Sequence, residues 1–367
     1  MNQQFLKQYS NCVAVFTHCF LIFVPMKFTG ILLLLSASCF AQIGGNGAYS
    51  FLSLPNSARA LALGGEAIAF RDDDVNLAYQ NPASINPNMH NRISSSFVDY
   101  FAGINYGLVS YARNYKKGTW TTQLHYVDYG TFDRADEFGN LNGTFSASDA
   151  CFSVGYAQPV DSLFSVGVNF KNIFSSLENY SSYGMAFDLG GFYTSKNKLF
   201  QATVLIRNVG FQLKTYQPGN QEPVMWQAMA GIVRGFEHIP LKFSVVLHNL
   251  QQWDLIYNDP TKPLPTRDAL TGDTITYSRR IPEKLMSHVI FGAELEITKG
   301  LFLRAGYNYW RRQQLKVDNK PGTVGFSWGV GIKISKFVIS YARSAYHLAG
   351  SPNYFTLSAN LNEFYKK

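Results

Sequence analysis

The stretch Ser57-Ala-Arg-Ala-Leu-Ala-Leu-Gly-Gly-Glu-Ala-Ile-Ala-Phe-Arg-Asp-Asp-Asp-Val-Asn-Leu-Ala-Tyr-Gln-Asn-Pro-Ala83 decides how this chain of 367 residues is organised. Ser57 is a typical N-cap for a short helix, and Gly64-Gly65 can end that helix in a left-handed turn. Asn81-Pro82 sets a second turn. A segment of this size cannot build its own hydrophobic core. Because β-segments follow it, we predict that residues 42–92 form a plug inside whatever those segments enclose.

The N-terminal residues predict a secreted protein. An apolar run over Ile31–Leu35 is followed by small residues ending at Ala41, as in a secretory signal peptide. The run is too short to span a bilayer as a helix. We predict cleavage after Ala41, so that residues 1–41 are leader, and translation can begin at Met26 instead of Met1. A lipoprotein box ending at Cys39 is the alternative.

Fourteen candidate strands follow the predicted plug, each of about the length that a tilted strand needs to cross a bilayer. In one of them Trp120 and Leu124 share a face, while Gln123 and His125 share the other. Only 15% of the residues are charged, and only Cys151 lies beyond the leader, so an intramolecular disulfide is excluded. We predict an all-β fold, a fourteen-stranded antiparallel transmembrane β-barrel over residues 93–364 with a small N-terminal helical plug. Periodicity alone would also allow a soluble β-sandwich.

Short connections alternate with long ones along the predicted barrel. The long ones include Thr131–Ser148, Gly210–Val224 and Gln252–Leu285. This asymmetry is typical of bacterial outer-membrane barrels, with both termini on the periplasmic side. We expect Gln252–Leu285 to be the main docking loop, because its prolines limit the entropy lost on binding. Arg311 and Arg312 enter another long loop, where we expect contacts with lipid phosphates; solvated loop charges are the alternative.

The plug carries polar residues with two possible roles. Asp72-Asp73-Asp74 could bind a divalent cation or a basic partner, but no glycine-centred calcium loop follows. We favour a structural role, in which one aspartate caps a turn and another pairs with Arg59, Arg71 or an arginine of the wall. Asn81-Pro82-Ala83 is interpreted as a rigid turn, with a substrate path as the alternative. The predicted structural signature of the plug comprises Arg59, Gly64, Gly65, Asp73, Asp74, Asn81 and Pro82.

The sequence lacks the common patterns of catalytic and metal-binding residues. Its histidines have no metal-ligand spacing, and neither Gly-x-Ser-x-Gly nor a phosphate loop is present. Ser195–Lys198 matches the Ser-x-x-Lys of penicillin-reactive enzymes, but it lies in a predicted turn without the companion motifs. We predict no catalytic residues, no cofactor and no metal. The net charge of +8 is spread without basic runs, and no nucleic-acid partner is expected. A surface or periplasmic enzyme would need a convergent polar site.

Eight short segments occur together along the chain. They are Gln42–Asn46, Ser57–Gly65, Asp73–Asn76, Asn81–Ala83, Arg134–Glu137, Gln252–Leu255, Arg304–Tyr309 and Tyr346–Ser351. Together they resemble the PorV/PorQ group of outer-membrane proteins, which is distantly similar to the fourteen-stranded long-chain fatty acid transporter with its Asn-Pro-Ala hatch.

The resemblance implies a non-enzymatic, integral outer-membrane component of the type IX secretion system of Bacteroidota. It implies membership of the cargo attachment complex, with PorU, PorV and a PorZ-like extracellular partner, and contact with lipopolysaccharide or another outer-membrane lipid. The alternative is an outer-membrane transporter that passes hydrophobic small molecules sideways through its wall. That alternative predicts an apolar pocket beside the plug and a strand kink against it.

Overall fold

The computed structural model describes residues 47–255, 281–316, 322–346 and 350–365, and its dominant feature is a closed antiparallel barrel. The strands are β1 (Arg92–Asp99), β2 (Asn105–Tyr115), β3 (Gly118–Ala135), β4 (Leu141–Pro159), β5 (Phe164–Leu177), β6 (Tyr180–Thr194), β7 (Phe200–Lys214), β8 (Gln227–Gly235), β9 (Leu241–Leu247), β10 (Val289–Thr298), β11 (Leu301–Asn308), β12 (Phe326–Ile334), β13 (Phe337–Ser344) and β14 (Asn353–Asn360). Each strand pairs with its neighbours in sequence, and β1 pairs with β14 to close the sheet. The predicted fourteen-stranded barrel is confirmed. The predicted leader, residues 1–41, lies outside the described residues.

The wall is polar inside and apolar outside. On β3, Thr121 and Gln123 are each 1% exposed and face the lumen, whereas Trp120 and Leu124 are 46% and 48% exposed on the outer surface. An outer surface of this kind is stable against lipid and unfavourable against water. The barrel is therefore a transmembrane barrel of the outer-membrane type. Among the described residues, no helix has the length and apolar character needed to cross a membrane.

The plug lies inside the barrel. Its helices are α1 (Ala58–Ala62) and α2 (Leu77–Gln80); one 3₁₀ turn, Ser50–Ser53, precedes α1, and two, Pro82–Ser84 and Pro87–Met89, follow α2. Ser57 caps α1 by accepting a hydrogen bond from the Ala60 amide at 3.3 Å, as predicted. Gly64 and Gly65 follow with φ of 95° and 111°, the left-handed conformation that glycine adopts without strain. Almost every plug residue after Ala48 and before Asn88 is buried, because the lumen supplies the core that this segment lacks.

The two ends of the barrel differ. The connections after β2, β4, β6, β8, β10 and β12 have two to five residues, such as 116–117 and 195–199, and lie at one end, the short-turn rim. The other end, the long-loop rim, has the longer connections after β7, β9, β11 and β13, together with helices α3 (Ile281–Ser287) and α4 (Tyr309–Leu315). The connections after β1, β3 and β5 lie at the long-loop rim too but have only two to five residues, so the predicted alternation of short and long connections holds only in part. A last short helix, α5 (Asn362–Tyr365), follows β14 at the short-turn rim. The expected docking loop Gln252–Leu285 lies mostly outside the described residues.

The described chain enters and leaves the barrel at opposite ends. Arg92 pairs with Asn360, so β1 begins and β14 ends at the short-turn rim. The Ala48 amide instead donates to the Pro223 carbonyl at 3.0 Å, in the connection that follows β7 at the long-loop rim. The plug therefore crosses the lumen from one rim to the other before β1 begins. The termini themselves lie outside the described residues, and their predicted periplasmic position stays a prediction.

Strands β3 and β4 extend past the rest of the wall. They have 18 and 19 residues, and their pairing with β2 and β5 stops at Asp128 and Ala147. Beyond that level, residues 131–146 pair with each other, with one register shift between Asp133 and Ala135, and form a hairpin that we call the β3–β4 ribbon. The predicted loop Thr131–Ser148 is thus wrong: the irregular part is residues 136–140. Cross-strand pairing of Phe132 with Phe145, whose rings stack 5.3 Å apart, favours strand over loop.

Candidate functional site: the interface between plug and barrel wall

Arg59 is the centre of the interface between the plug and the wall. It lies in α1, is 7% exposed, and projects toward β10. Its Nε donates to Glu294 Oε2 at 2.8 Å and its Nη2 to Glu294 Oε1 at 2.9 Å. The same guanidinium donates to both oxygens of Asp72, at 2.9 Å and 2.7 Å. Arg59 thus makes two bidentate contacts, one to Asp72 of the plug and one to Glu294 of the wall. Bidentate pairing with a carboxylate is the strongest geometry available to an arginine.

Two further ion pairs join the plug to other parts of the wall. Arg207 on β7 donates to both carboxylate oxygens of Glu66, at 2.5 Å and 3.1 Å. Arg92 at the start of β1 forms an ion pair with Asp73. Pairing of plug aspartates with Arg59 and with an arginine of the wall agrees with the sequence analysis. The plug is therefore fixed at three separate points around the barrel.

The Asn81-Pro82-Ala83 turn is held by hydrogen bonds and by close packing. The Asn81 side chain donates to the Ile68 carbonyl at 2.8 Å and to Thr203 Oγ1 on β7 at 2.9 Å, and it accepts from the Ala83 amide at 2.9 Å. The Pro82 backbone lies directly against Gly167 of β5, where a Cβ atom would overlap it. These contacts are those of the rigid turn that we favoured.

Arg311 lies inside the barrel and not at the lipid surface. It is 9% exposed, its guanidinium lies 4.4 Å from the Tyr346 ring centroid, and its Nη1 donates to Ser344 Oγ at 3.4 Å. The lipid contact expected for Arg311 is therefore corrected: α4 is amphipathic, and Arg311 occupies its inner face. Arg312 is partly exposed and donates to the Val324 carbonyl at 3.0 Å, and a lipid contact there stays a prediction.

The sequence analysis missed the wall residues that receive the plug. Glu294, Arg304 and Arg207 are charged residues within the strands β10, β11 and β7. Their position in the alternating pattern assigns all three to the lumen, and a charged side chain in a lumen needs a partner there. That pattern could have identified them as candidates. It could not have paired them with Arg59 or Glu66.

A cavity of about 600 Å³ lies between the plug and the strands β9–β14, open at the short-turn rim. It exists because α1 sits high in the lumen on this side: the Ala62 carbonyl accepts from Ser327 Oγ near the start of β12. The lining residues are mostly charged or small and polar, and they include Arg59, Glu294 and Arg304. The side chains around this cavity therefore give it a polar interior. The space that the structure shows beside the plug is thus not an apolar pocket.

In the described part of the chain, no cluster of three or more histidine, cysteine or carboxylate side chains is arranged to hold a metal ion. Ser195 and Lys198 lie in the turn between β6 and β7, where the Lys198 amide donates to the Ser195 carbonyl at 2.9 Å. Their backbone forms a turn at the barrel rim and not a helix start, as the sequence analysis anticipated.

The chain is similar in structure to outer-membrane channels. The toluene transporter TodX of P. putida matches with a TM-score of 0.49 and 11% identity, over 84% of this chain and 99% of that one. The CymD monoaromatic hydrocarbon channel matches with a TM-score of 0.48 and 12% identity, over 85% of this chain and 97% of that one. A Pseudomonas aeruginosa FadL homologue matches with a TM-score of 0.44 and 11% identity, over 83% of this chain and 97% of that one. No protein-family model and no protein of curated function matches the sequence.

The Arg59–Asp72 contact predicts a pH-dependent loosening of the plug. Burial alone would raise the pKa of Asp72, but the Arg59 guanidinium holds that pKa well below its ordinary value. A carboxylate with a lowered pKa contributes stability above its unfolded pKa of about 3.9 and loses it as the pH falls through the folded value. We expect D72N to destabilise the plug by about 1–3 kcal/mol at pH 7, and the difference from wild type to shrink below about pH 4.

Hydrogen exchange of the plug amides at pH 7 and at pH 3 measures this difference. D74N is the matched control, because burial raises the pKa of Asp74 and its electrostatic contribution has the opposite sign. Equal protection of D72N and wild type at pH 7 would show that the Arg59–Asp72 pair does not hold the plug.

Proposed function

We propose that this chain is a sealed outer-membrane barrel that anchors an extracellular partner at its long-loop rim. The observation that carries this proposal is the β3–β4 ribbon, a hairpin that extends beyond the pairing of β3 with β2 and of β4 with β5. Glu178 of the β5–β6 turn contacts its base, where the Glu178 amide donates to the Ser146 carbonyl at 3.2 Å and the Glu178 carboxylate pairs with Arg134 at 2.8 Å. At and beside its tip, Phe138 is 82% exposed and Leu141 is 70% exposed. A two-stranded ribbon is only marginally stable by itself in water. A partner that adds a strand to a free edge or covers these side chains would stabilise it.

The contacts of the plug support anchoring over conduction. Three ion pairs hold the plug to β1, β7 and β10, and the strands are hydrogen-bonded around the whole circumference. Among the described strands, five register shifts occur, two in the β3–β4 pair, two in the β6–β7 pair and one in the β10–β11 pair, but each strand pair continues on both sides of each shift. A barrel in this state has a continuous wall, a plug held across its lumen and an accessible surface at its long-loop rim.

The finer proposal follows the sequence resemblance. Within the PorV/PorQ group, we place this chain with PorQ, as a non-enzymatic member of the type IX attachment complex that works beside PorU and PorV. The long-loop rim would then face the cell exterior, where it meets a PorZ-like partner and lipopolysaccharide, and the short-turn rim would face the periplasm. The three similar structures are channels or transporters, so the secretion role rests on the resemblance and on the ribbon alone.

A variant of the ribbon tests the anchoring role. We expect F138N/L141N to weaken capture of the extracellular partner from mild-detergent outer membranes by about tenfold or more, since exposed apolar anchors commonly dominate an interface. V160N/I239N is the matched control, because it makes the same change at two residues of the short-turn rim that are 64% and 54% exposed. Equal capture by F138N/L141N and wild type would overturn the role of the ribbon.

Transport of hydrophobic small molecules is the second candidate. TodX and CymD are a toluene transporter and a monoaromatic hydrocarbon channel by name, and their likeness to this chain is a likeness of fold. The observation in this chain that favours transport is the cavity of about 600 Å³, which opens the lumen from the short-turn rim up to the plug. Movement of the plug would then complete a path.

Uptake by proteoliposomes separates the two candidates. Transport predicts that the purified barrel takes up toluene or a fatty acid faster than protein-free liposomes, whether or not the ribbon is intact. Anchoring predicts uptake no faster than that of protein-free liposomes, together with partner capture that depends on Phe138 and Leu141.

A further inference from the structure

The cavity at the short-turn rim contains more positive charge than its carboxylates neutralise. Four of the five carboxylates in its lining have an arginine partner: Asp72, Asp74 and Glu294 contact Arg59, and Asp73 contacts Arg92. The fifth, Glu296 on β10, lies on the same face as Glu294 and forms no ion pair among the described residues. Lys242 of β9 pairs in register with Glu294. The lining as a whole has six cationic side chains and five carboxylates, an excess of one positive charge.

Three cations of the lining lie close to its mouth: Arg304, Lys299 and Lys333. Arg304 shares one carboxylate with Arg59, because its Nε donates to Glu294 Oε2 at 2.7 Å. Its two terminal amino groups donate to no acceptor within the described residues. Because Arg304 lines the cavity, a ligand oxygen in the cavity could accept from them.

The chain brings the two lysines next to that guanidinium. Lys299 lies in the turn between β10 and β11, and the Lys333 amide donates to the carbonyl of the adjoining Gly300 at 2.7 Å. Gly331 leaves room beside Arg304: a Cβ there would lie 2.7 Å from Arg304 Nη1. Both lysines are exposed at the mouth of the cavity and form no ion pair among the described residues.

The geometry points to a phosphate-binding site formed by Arg304, Lys299 and Lys333 at the short-turn end of the lumen. A guanidinium binds two phosphate oxygens through its planar fork, and lysine ammonium groups add point charges around them. The depth of Arg304 and the open position of the lysines fit a phosphate monoester that enters from the rim. This inference is independent of the proposed anchoring role and concerns the opposite end of the barrel.

Two sources of phosphate can reach this position. A soluble phosphate monoester can enter through the open rim. The headgroup of an anionic phospholipid can also reach it, because Ile334 and Phe337, which flank the turn between β12 and β13 beside Lys333, are 56% and 40% exposed on the outer surface. Lipid is therefore adjacent to the mouth of the cavity.

Calorimetric titration of the purified full-length barrel in a neutral detergent tests the site. The probes are glycerol 3-phosphate and, separately, phosphatidylglycerol in mixed micelles, with phosphatidylcholine as the reference lipid. We expect the wild type to bind at least one phosphate probe and K299Q/K333Q to bind it about tenfold or more weakly. K117Q/K196Q is the matched control: it removes two lysines from turns of the same rim that do not line the cavity, and it should bind like the wild type.

The probes also decide which source is used. Binding of glycerol 3-phosphate supports a soluble ligand, and binding of phosphatidylglycerol alone supports a lipid headgroup. The inference is overturned if neither probe binds, if K299Q/K333Q binds as tightly as wild type, or if only a poly-aspartate peptide binds. Thermal unfolding of both variants by circular dichroism establishes that they retain the folded barrel.

Discussion

R59Q is expected to detach the plug from the wall and to destabilise the protein by about 3–5 kcal/mol, because it leaves buried carboxylates without their positive partner. Asp72 and Asp74 would both lose the guanidinium, and Glu294 would retain only Arg304. Urea unfolding of the purified barrel measures the loss of stability. Conductance across a planar lipid bilayer measures the consequence for the lumen, and we expect R59Q to open channels that the wild type does not show.

Two variants show whether the effect belongs to the Arg59 contacts. R71Q removes a guanidinium from the same plug, but this one stacks on Phe192 at 5.8 Å and has no carboxylate partner among the described residues, so its effect should be smaller. R59K keeps the charge and loses the bidentate fork, and we expect an intermediate loss of stability. If R59Q and R71Q cost the same stability, Arg59 is not the anchor of the plug.

G167V is expected to be at least as disruptive, for a reason of shape and not of charge. A Cβ atom at Gly167 would overlap the Pro82 carbonyl and lie 2.7 Å from the Ala83 amide nitrogen. Both contacts are with backbone, which cannot rotate away as a side chain can. Overpacking of this kind costs typically about 1–3 kcal/mol and more where nothing can move. We expect either expulsion of the turn at Asn81–Ala83 or failure of the barrel to fold.

G191V is the control for this change. Gly191 lies on β6 next to the pair formed by Gly167 and Gly190, but its nearest neighbour is a Val204 methyl group at 3.8 Å. The added side chain therefore meets ordinary packing space. Folded yield, limited proteolysis of the plug and bilayer conductance should separate the two variants. A G167V barrel with a protease-resistant plug would contradict the close contact at Pro82.

Much of the fold follows from the sequence because it depends on local patterns. Alternation of polar and apolar residues with a period of two assigns each strand residue to the lumen or to lipid, whatever the neighbouring strand is. The cap at Ser57 and the turn at Gly64-Gly65 are likewise local. The loop at Thr131–Ser148 was mispredicted because strand ends depend on pairing: Phe132 and Phe145 are extended where they face each other.

The candidate site could be predicted only in part. The sequence indicates that a plug aspartate pairs with an arginine, because a buried charge needs a partner. It does not indicate that Arg311 turns inward, since that depends on the face of α4 that packs against Tyr346. Nor does it show a cavity next to Arg304, which exists because α1 sits high in the lumen.

An interior plug and a wall of fourteen membrane-length strands follow from the sequence alone, since each of these is encoded in residues that are close together in the chain. The side chains that meet across the lumen are fixed only when the whole chain has folded. Arg59 and Glu294 are 235 positions apart, and their contact depends on strand register, on closure of β1 against β14 and on the depth of α1. Those quantities arise from the packing of the whole barrel, and no local pattern contains them.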